Sequence, residues 1–292
     1  EDASRAQGVV PNGAGAYWTG YDECCRCGNA AGNFSGLSPC WASAGANTSF
    51  RACCTFYGDA TALPSLPCWR DAGGLRRVIE LRLLGRQWNF KQSVSDASNI
   101  HVVMPRVLWP TAYALAAYLA QTSERHLMGR HVVELGCGLA FPAMVASLLG
   151  AAQVIASDSD RVGLRLAEAH AARSLPDRVR DRFTTRCVDF RNIMAVATLA
   201  PADVVLCAGQ MYDATLLEPL LRALLALCAR GCLVFMAMGG AWPPGQSLAY
   251  EFLNMVAGAF SVQEAFRCED RGFVHHFSGI GCVMLAYRRQ KK

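Results

Sequence analysis

Charged residues are scarce in this sequence, and their scarcity narrows the classes of function. They make up 17% of the 292 residues, and the formal net charge is only +5. A nucleic-acid-binding protein concentrates Lys and Arg on one face, whereas the basic residues here are few and scattered. We therefore predict no nucleic-acid partner. Apolar residues make up 52% of the chain, which is enough for a large core.

An apolar run long enough to cross a membrane is also missing. A membrane-spanning helix needs about 20 apolar residues. Residues 140–157 come nearest, but they divide into a helix and a strand, and a later leucine-rich segment is broken by Glu218, Arg222 and Arg230. We predict no transmembrane helix. Because the first residue is Glu1 rather than Met, we expect a processed or trimmed chain whose targeting segment is not seen.

Histidine is absent before His101, which bears on the many cysteines of the amino-terminal part. Residues 1–74 are rich in Gly, Ala, Ser, Asn and Cys and show no helical or strand periodicity. Cys24-x-x-Cys27 has zinc-ligand spacing, but a second such pair and a histidine are missing, so disulfides are favoured over zinc or free thiols. We predict a disulfide-stapled module that ends near Gly73-Gly74. Its seven cysteines are Cys24, Cys25, Cys27, Cys40, Cys53, Cys54 and Cys68.

Two glycosylation sequons fall in the same module, at Asn33 and Asn47. Together with the cysteines they favour an oxidising compartment, a secretory or organellar lumen, over the cytoplasm. An odd number of cysteines requires that one thiol stays free or pairs outside the module.

The stretch from His131 to Asp160 has the most regular pattern in the chain. A short apolar strand closes at Glu134, a turn with Gly136 and Gly138 follows, and an alanine-rich helix leads to a second strand that ends in Asp158. The two glycines let the backbone approach a ligand closely, and the helix directs its N–H groups toward that ligand. Asp158, twenty residues after Gly138, can accept hydrogen bonds from ribose hydroxyls. This pattern indicates a site for a ribose-containing cofactor.

A dinucleotide is not the best candidate for that cofactor. The dinucleotide fingerprint needs a third glycine where this sequence has Phe141, and the loop has no basic residue to meet a pyrophosphate. A Rossmann-like domain without any ligand, in which the glycines merely form a tight turn, is a further alternative.

Two motifs resemble one particular family. Glu134-x-Gly136-x-Gly138 resembles motif I of the class I S-adenosylmethionine (SAM) methyltransferases. Upstream, the segment Val107–Leu119 (VLWPTAYALAAYL) resembles a helix of the family-16, seven-β-strand protein methyltransferases, a lysine methyltransferase-like branch that includes the methyltransferase-like 21 and 23 groups. The resemblance covers about residues 75–288. It implies an α/β fold with a Rossmann-like, seven-stranded, doubly wound sheet over residues 75–292, with SAM as cofactor.

The resemblance also implies roles for single residues. Glu134 would lie near the methionine end of SAM. Trp109 would stack on the adenine or, equally, anchor its own helix by packing. Asp189 and Phe190, after the third strand, would flank the adenine, although Phe190 alone also fits the core. Ala208, at the end of the fourth strand, is a further predicted cofactor contact.

The sequence departs from the family pattern directly after the fourth strand. Family members carry Asp-x-x-Tyr there, but alignment on Tyr212 places Gly209 at the position of the acid. Tyr212 would line the acceptor pocket, and Asp213 or Gln210 would substitute for the acid only out of register. The chain is thus predicted to be a SAM-dependent methyltransferase that acts on lysine or another protein nitrogen. The alternatives are a catalytically inactive subunit of a larger organellar or lumenal assembly, and a small-molecule methyltransferase.

The remaining segments fit the same fold and suggest no metal site. His275 and His276 are adjacent on a predicted strand and would face opposite sides, so they do not suggest a shared metal ion. The cysteines after residue 130 lie mostly in apolar elements and are predicted to be core residues. We predict helices at 161–173, 216–229 and 246–260, strands at 183–188, 202–208 and 231–238, and a closing antiparallel pair at 261–267 and 281–287.

Overall fold

A computed structural model describes residues 70–71, 74–75, 77–94, 103–122, 124–239, 248–267 and 281–287. Nearly all of the predicted amino-terminal module lies outside these ranges, including its seven cysteines and both sequons. The same holds for His275 and His276. The disulfide module, its boundary and the compartment therefore stay predictions.

The described chain begins with two small antiparallel ribbons. Strands β1 (Arg70–Asp71) and β2 (Gly74–Leu75) form the first, and β3 (Val78–Leu83) and β4 (Arg86–Lys91) form the second. The second ribbon buries every other side chain, as the alternation of apolar residues requires. The apolar alternation predicts one or two strands between Leu75 and Phe90, and this prediction is confirmed. The buried side chains are Ile79, Leu81, Trp88 and Phe90.

A short 3-10 turn (Met104–Arg106) leads into helix α1 (Pro110–Thr122). Pro110 occupies the first helical position, where its missing N–H costs nothing. Residues 113–119 are all buried, so α1 is a core helix rather than a surface one. A one-turn helix α2 (Glu124–Leu127) connects it to the main sheet.

The main sheet and its helices alternate along the chain as the sequence predicts. The bounds are β5 (His131–Leu135), α3 (Phe141–Leu148), β6 (Gln153–Asp158), α4 (Arg161–Ser174), α5 (Asp177–Arg180), β7 (Phe183–Cys187), α6 (Ile193–Ala197), β8 (Ala202–Ala208), a 3-10 turn (Ala214–Leu216), α7 (Leu217–Leu227), β9 (Cys228–Met238), α8 (Leu248–Val256), β10 (Phe260–Arg267) and β11 (Gly281–Tyr287).

These strands form one seven-stranded sheet in the order β10-β11-β9-β8-β5-β6-β7. The pairs among β5 to β9 are parallel, and β11 joins β9 and β10 in antiparallel fashion. The strand order reverses between β5 and β8, and in open α/β sheets the ligand crevice lies at the carboxyl ends of the strands at such a reversal. The predicted class, a seven-stranded doubly wound α/β sheet with a closing antiparallel pair, is confirmed.

Apolar layers cover both faces of the sheet, because strands buried on two sides need a partner on each. One layer contains α1, α3, α4 and the inner face of the β3–β4 ribbon, and the other contains α7 and α8. Within the part of the chain that the structure describes, no helix is long and apolar enough to cross a membrane.

The cysteines of this domain only partly match the prediction of core residues. Cys137 and Cys207 are buried free thiols, as predicted. Cys228 and Cys232 are also buried, but a disulfide joins them across the start of β9. For Cys187 the prediction is wrong, because it lies at the last position of the edge strand β7 and is exposed.

The β3–β4 ribbon is attached to α4 through His170. The Nε2 of His170 donates to the carbonyl oxygen of Lys91 (3.0 Å), and Arg173 donates to its Nδ1 (2.8 Å). Phe90 lies against the imidazole at 5.0 Å between ring centroids. A carbonyl can only accept, so Nε2 carries the proton and Nδ1 must stay unprotonated. Burial accordingly lowers the pKa of His170 to about 4.

Acid should therefore weaken the folded state through His170. The unfolded chain binds this proton near pH 6.5 and the folded chain only near pH 4, so the free energy of unfolding should fall as the pH drops through this window, by about 3 kcal/mol in total. Urea unfolding at several pH values measures the slope. The variant His170→Gln should show a shallower slope between pH 6.5 and 4, and an unchanged slope would contradict the assignment.

Candidate functional site

The crevice at the carboxyl ends of β5 and β8 is the candidate functional site. The glycine turn follows β5, and Gly209 follows β8, so the two turns face each other where the strand order reverses. Gly136, Gly138 and Gly209 all have positive φ, a conformation that residues with a Cβ rarely adopt. The structure thus brings motif I and the turn at Gly209 to one place.

Glu134 is buried at the end of β5 and holds the start of α3. Its Oε2 accepts a hydrogen bond from the backbone N–H of Ala143 (2.9 Å). Ala140, the residue before the helix, has no side chain that could do this, and Pro142 has no N–H. Burial raises the pKa of Glu134 well above its ordinary value. The helix N-terminus therefore already has one internal partner, which leaves fewer N–H groups for a ligand than the sequence suggests.

Asp158 lies beside Glu134 and connects the glycine turn to α4. One carboxylate oxygen accepts from Gly138 N and the other from Asp160 N, each at 2.9 Å. Burial raises the pKa of Asp158, while these backbone bonds oppose the shift. Each carboxylate oxygen keeps a further lone pair for a ligand hydroxyl. The predicted neighbours Gly138 and Asp158 are thus in direct contact, and the ribose contact itself stays a prediction.

The 3-10 turn before α1 closes one side of the site. Arg106 forms a two-pronged ion pair with Asp160, at 3.0 and 3.1 Å. A Cβ on Gly163 would lie only 2.5 Å from the carbonyl oxygen of Pro105, so the turn packs directly on the start of α4. Trp109 is half-buried, and its indole N–H donates to Met104 O (2.7 Å). This bond favours the anchoring role for Trp109 without excluding the predicted adenine contact.

Asp189 and Phe190 follow β7, at the same end of the sheet. Arg191 binds both carboxylate oxygens of Asp189, at 2.6–3.0 Å, and lowers the pKa of that carboxyl. Val188 N donates to Asp158 O, which ties this loop to the end of β6. Phe190 is partly buried against the apolar layer that contains α7. Both residues are near Asp158, and their contact with adenine stays a prediction.

Gly209 is held in a space that leaves no room for an acid. Its φ is +73°, and a Cβ built on it would lie 2.6 Å from Thr111 Oγ1. Its N–H donates to Ala237 O (2.9 Å), and the preceding Ala208 is half-buried at the end of β8. The hydroxyl of Thr111, on the first turn of α1, occupies the volume that an acidic side chain would need.

Tyr212 and Asp213 lie on the loop after Gly209. Tyr212 is 47% exposed. Partial burial and the negative charges of Asp158, Asp213 and Asp189 raise its pKa, so the phenol is neutral near pH 7. Asp213 caps the following 3-10 turn through Thr215 N and Oγ1, both at 2.8 Å. This capping is a structural role, and a catalytic role for Asp213 stays a prediction.

Gln210 has more contacts with the site than the sequence pattern indicates. It is out of register with the family acid, yet its side chain is buried and lies flat on Gly136. Its Nε2 donates to Gly136 O (2.8 Å) and to Ala208 O (3.1 Å). Arg106 and Thr111 have no role in the sequence analysis, because their contacts join parts of the chain that are distant in sequence. Among the described residues, no cluster of three or more His, Cys, Asp or Glu side chains could hold a metal ion.

Comparison with known families gives a match that covers more than half of the chain. The family model described as lysine methyltransferase matches residues 95–256. A mouse protein, protein N-lysine methyltransferase METTL21A, is 26% identical over 162 residues, which cover 54% of this chain and 69% of the mouse protein. The electron transfer flavoprotein beta subunit lysine methyltransferase of Danio rerio is 43% identical over 56 residues, 19% of this chain and 21% of that protein.

Solved structures agree with this match at the level of the fold. A protein from Streptococcus mutans, assigned as a SAM-dependent methyltransferase, superposes with a TM-score of 0.54 at 12% identity, over 72% of this chain and 56% of that chain. A structure of the methyltransferase SMU.776 with bound SAH gives a TM-score of 0.50 with the same identity and coverage. Identity this low supports a common fold and nothing finer.

Adding a side chain at Gly209 should destabilise the protein in a way that depends on Thr111. We expect Gly209→Ala to cost at least about 1–2 kcal/mol from its positive φ alone, with an added cost from the contact with Thr111 Oγ1. In the Thr111→Ala background that added cost should disappear. A double-mutant cycle by urea unfolding measures the coupling, expected at about 0.5–3 kcal/mol. Strict additivity would show that the two residues do not compete for one space.

Proposed function

We propose that this chain, which belongs to the lysine methyltransferase family, transfers a methyl group from SAM to a side-chain nitrogen of a protein. The observation that carries the proposal is the bond from the glycine-turn N–H of Gly138 to Asp158 at the point where the strand order reverses. Membership confirms the family predicted from the two sequence motifs, and SAM is the cofactor of that family. Protein methylation is the activity that the family match supports.

The residues present fit a SAM site. Gly136 and Gly138 allow a close backbone approach, Asp158 offers free lone pairs to ribose hydroxyls, and Asp189 with Phe190 borders the adenine side. When bound, SAM supplies a methyl group on a sulfonium, and the transfer depends mostly on alignment and on the exclusion of water. The protein contributes the crevice walls and the orientation of the acceptor.

Tyr212 is the proposed acceptor-side residue. Its phenol keeps its proton near neutral pH, so it can donate or accept a hydrogen bond but does not serve as a phenolate base. About half of Tyr212 is exposed, which supports contact with an incoming protein segment. A contact with the acceptor is therefore compatible with its position, and general base catalysis by Tyr212 is not.

The acceptor class is proposed from the relatives. The mouse and zebrafish proteins are named as lysine methyltransferases, and a Cryptococcus neoformans relative, 39% identical over 64 residues (22% of this chain and 21% of that protein), is named a protein N-terminal and lysine N-methyltransferase. Two of these three matches span about a fifth of the relative. We therefore propose a protein amine as acceptor and name no particular protein.

A second candidate is a catalytically inactive subunit of a larger assembly. Gly209 favours it, because the family acid is absent and Thr111 fills its place. The two candidates differ in one observable, the transfer of a methyl group. Methyl transfer by the purified chain would exclude the inactive subunit.

Loss of one carboxylate oxygen at Asp158 should weaken SAM binding. In Asp158→Asn, the amide nitrogen cannot accept hydrogen bonds, so one backbone bond and one ribose bond are lost. We expect the Kd for SAM, measured by calorimetry, to rise at least tenfold. The control is Asp177→Asn, an exposed acid before the amino end of β7, whose Kd should match that of the wild type. Equal affinities for all three proteins would contradict the ribose role.

Removal of the Tyr212 side chain should reduce methyl transfer without loss of SAM binding. The assay supplies radiolabelled SAM and a protein extract of the source cells, and counts label in the protein fraction. Tyr212→Ala should reduce transfer at least tenfold, whereas Tyr287→Phe, on β11 opposite Phe260 of the edge strand β10, should not. If the wild type binds SAM but labels no protein, the protein-methylation proposal fails and the inactive subunit remains.

A further inference from the structure

The acid position of the family is closed in this chain, so another group must hold the acceptor if methyl transfer occurs. At position 209 the space is taken by Thr111 Oγ1, and Asp213 is engaged as a cap. Of the polar side chains that follow β8, only Gln210 is both buried and turned back onto the glycine turn. Tyr212, on the same loop, is 47% exposed, so Gln210 is the polar side chain of this loop that is fixed in one place.

We propose that Gln210 is the positioning residue for the acceptor nitrogen, and that its Oε1 accepts a hydrogen bond from the N–H of that nitrogen. The inference deepens the proposed function and rests on it. It assigns to a neutral amide the task that the missing acid performs in the family.

The orientation of the amide follows from its hydrogen bonds. Both partners of Nε2, Gly136 O and Ala208 O, are carbonyl oxygens, which can only accept. The NH2 group must face them, and both of its protons are used. Oε1 therefore points away from these two carbonyls, and no hydrogen bond to Oε1 is present among the described residues. Oε1 is therefore a hydrogen-bond acceptor that is fixed in place and has no hydrogen-bond partner among the described residues.

The Oε1 atom, as a hydrogen-bond acceptor, lies over the glycine turn. A Cβ on Gly136 would lie 2.5 Å from both Nε2 and Oε1, so the amide plane lies on the face of Gly136 that has no side chain. Gly136 immediately follows β5, at the reversal of the strand order. Any side chain at 136 would push Gln210 out, so the glycine serves the placement of this amide as well as the turn.

A neutral amide oxygen affects the protonation of a neighbouring amine differently from a carboxylate. A carboxylate favours the charged ammonium and raises the pKa of the amine beside it. The amide oxygen fixes the direction of an N–H without adding a charge, so it does not oppose loss of the proton that blocks the attacking lone pair. A purely structural Gln210 would need its two N–H groups but not its oxygen.

The test compares two cofactor analogues that differ at the position of the transferable methyl group, next to which the methyl acceptor would bind. SAH lacks the transferable methyl group, and sinefungin carries an amine at the corresponding position. In Gln210→Leu we expect the Kd for sinefungin to rise roughly 10- to 100-fold, the effect of one hydrogen bond to a charged amine. The Kd for SAH should change less than threefold. Gln153→Leu, an exposed glutamine at the amino end of β6, is the matched control and should leave both constants unchanged.

Each outcome of the calorimetric test has one meaning. A selective loss of sinefungin affinity supports the proposal. Equal loss of both ligands shows that Gln210 only holds the glycine turn, and no loss of either shows that Oε1 binds nothing; both results overturn the proposal and leave the proposed function intact. If the wild type binds neither ligand, the proposed function fails first.

A measurement on the wild type guards against misfolding of the variant. With the glutamine side chains labelled with ¹⁵N, the Gln210 amide signals are assigned by their loss in Gln210→Met. Sinefungin should shift these signals more than SAH does, because only its amine can donate to Oε1. Identical shifts with the two ligands would overturn the proposal without any demand on the stability of a variant.

Discussion

Two carboxylates buried side by side determine how this end of the sheet is built. Glu134 and Asp158 end neighbouring parallel strands, and burial raises the pKa of both. Such groups are costly unless they are hydrogen-bonded. The chain supplies Ala143 N to the first, and Gly138 N and Asp160 N to the second. The glycine turn and the starts of two helices are thus positioned by the need to satisfy these acids.

The segments before the sheet depend on the same arrangement. The turn before α1 packs on Gly163, and Arg106 binds Asp160, the residue that caps α4. Farther along α4, His170 holds the end of the β3–β4 ribbon. A single helix therefore connects the acid at the end of β6 to the amino-terminal ribbon, and the crevice has a wall on that side. The site is a property of this assembly and not of motif I alone.

The order of elements could be predicted from the sequence because it depends on local signals. Apolar runs that end in Gly136 and Asp158 mark buried strands, and the strand at 202–208 has the predicted bounds. The β3–β4 ribbon could be predicted in the same way, because its apolar side chains alternate from Val78 to Leu83. The contact between Thr111 and Gly209 carries no local signal. Tertiary packing determines this contact. Packing also determines that Cys187 is exposed, which the local sequence does not indicate.

The substitution at Gly209 is better understood as part of a rearranged site than as the loss of one residue. If only the acid had been lost, a gap would remain at this position, but Thr111 fills the space. The positive φ of Gly209 also disfavours any residue with a Cβ, so an acid there would be strained. The same turn then directs Gln210 back onto Gly136, with its two N–H groups engaged and its oxygen free to accept. The proposed site thus combines Thr111, Gly209 and Gln210 in one arrangement, in which a neutral hydrogen-bond acceptor takes the place of a charged one. In the proposed site, Gln210 Oε1 orients the methyl acceptor through the direction of an N–H and adds no charge of its own.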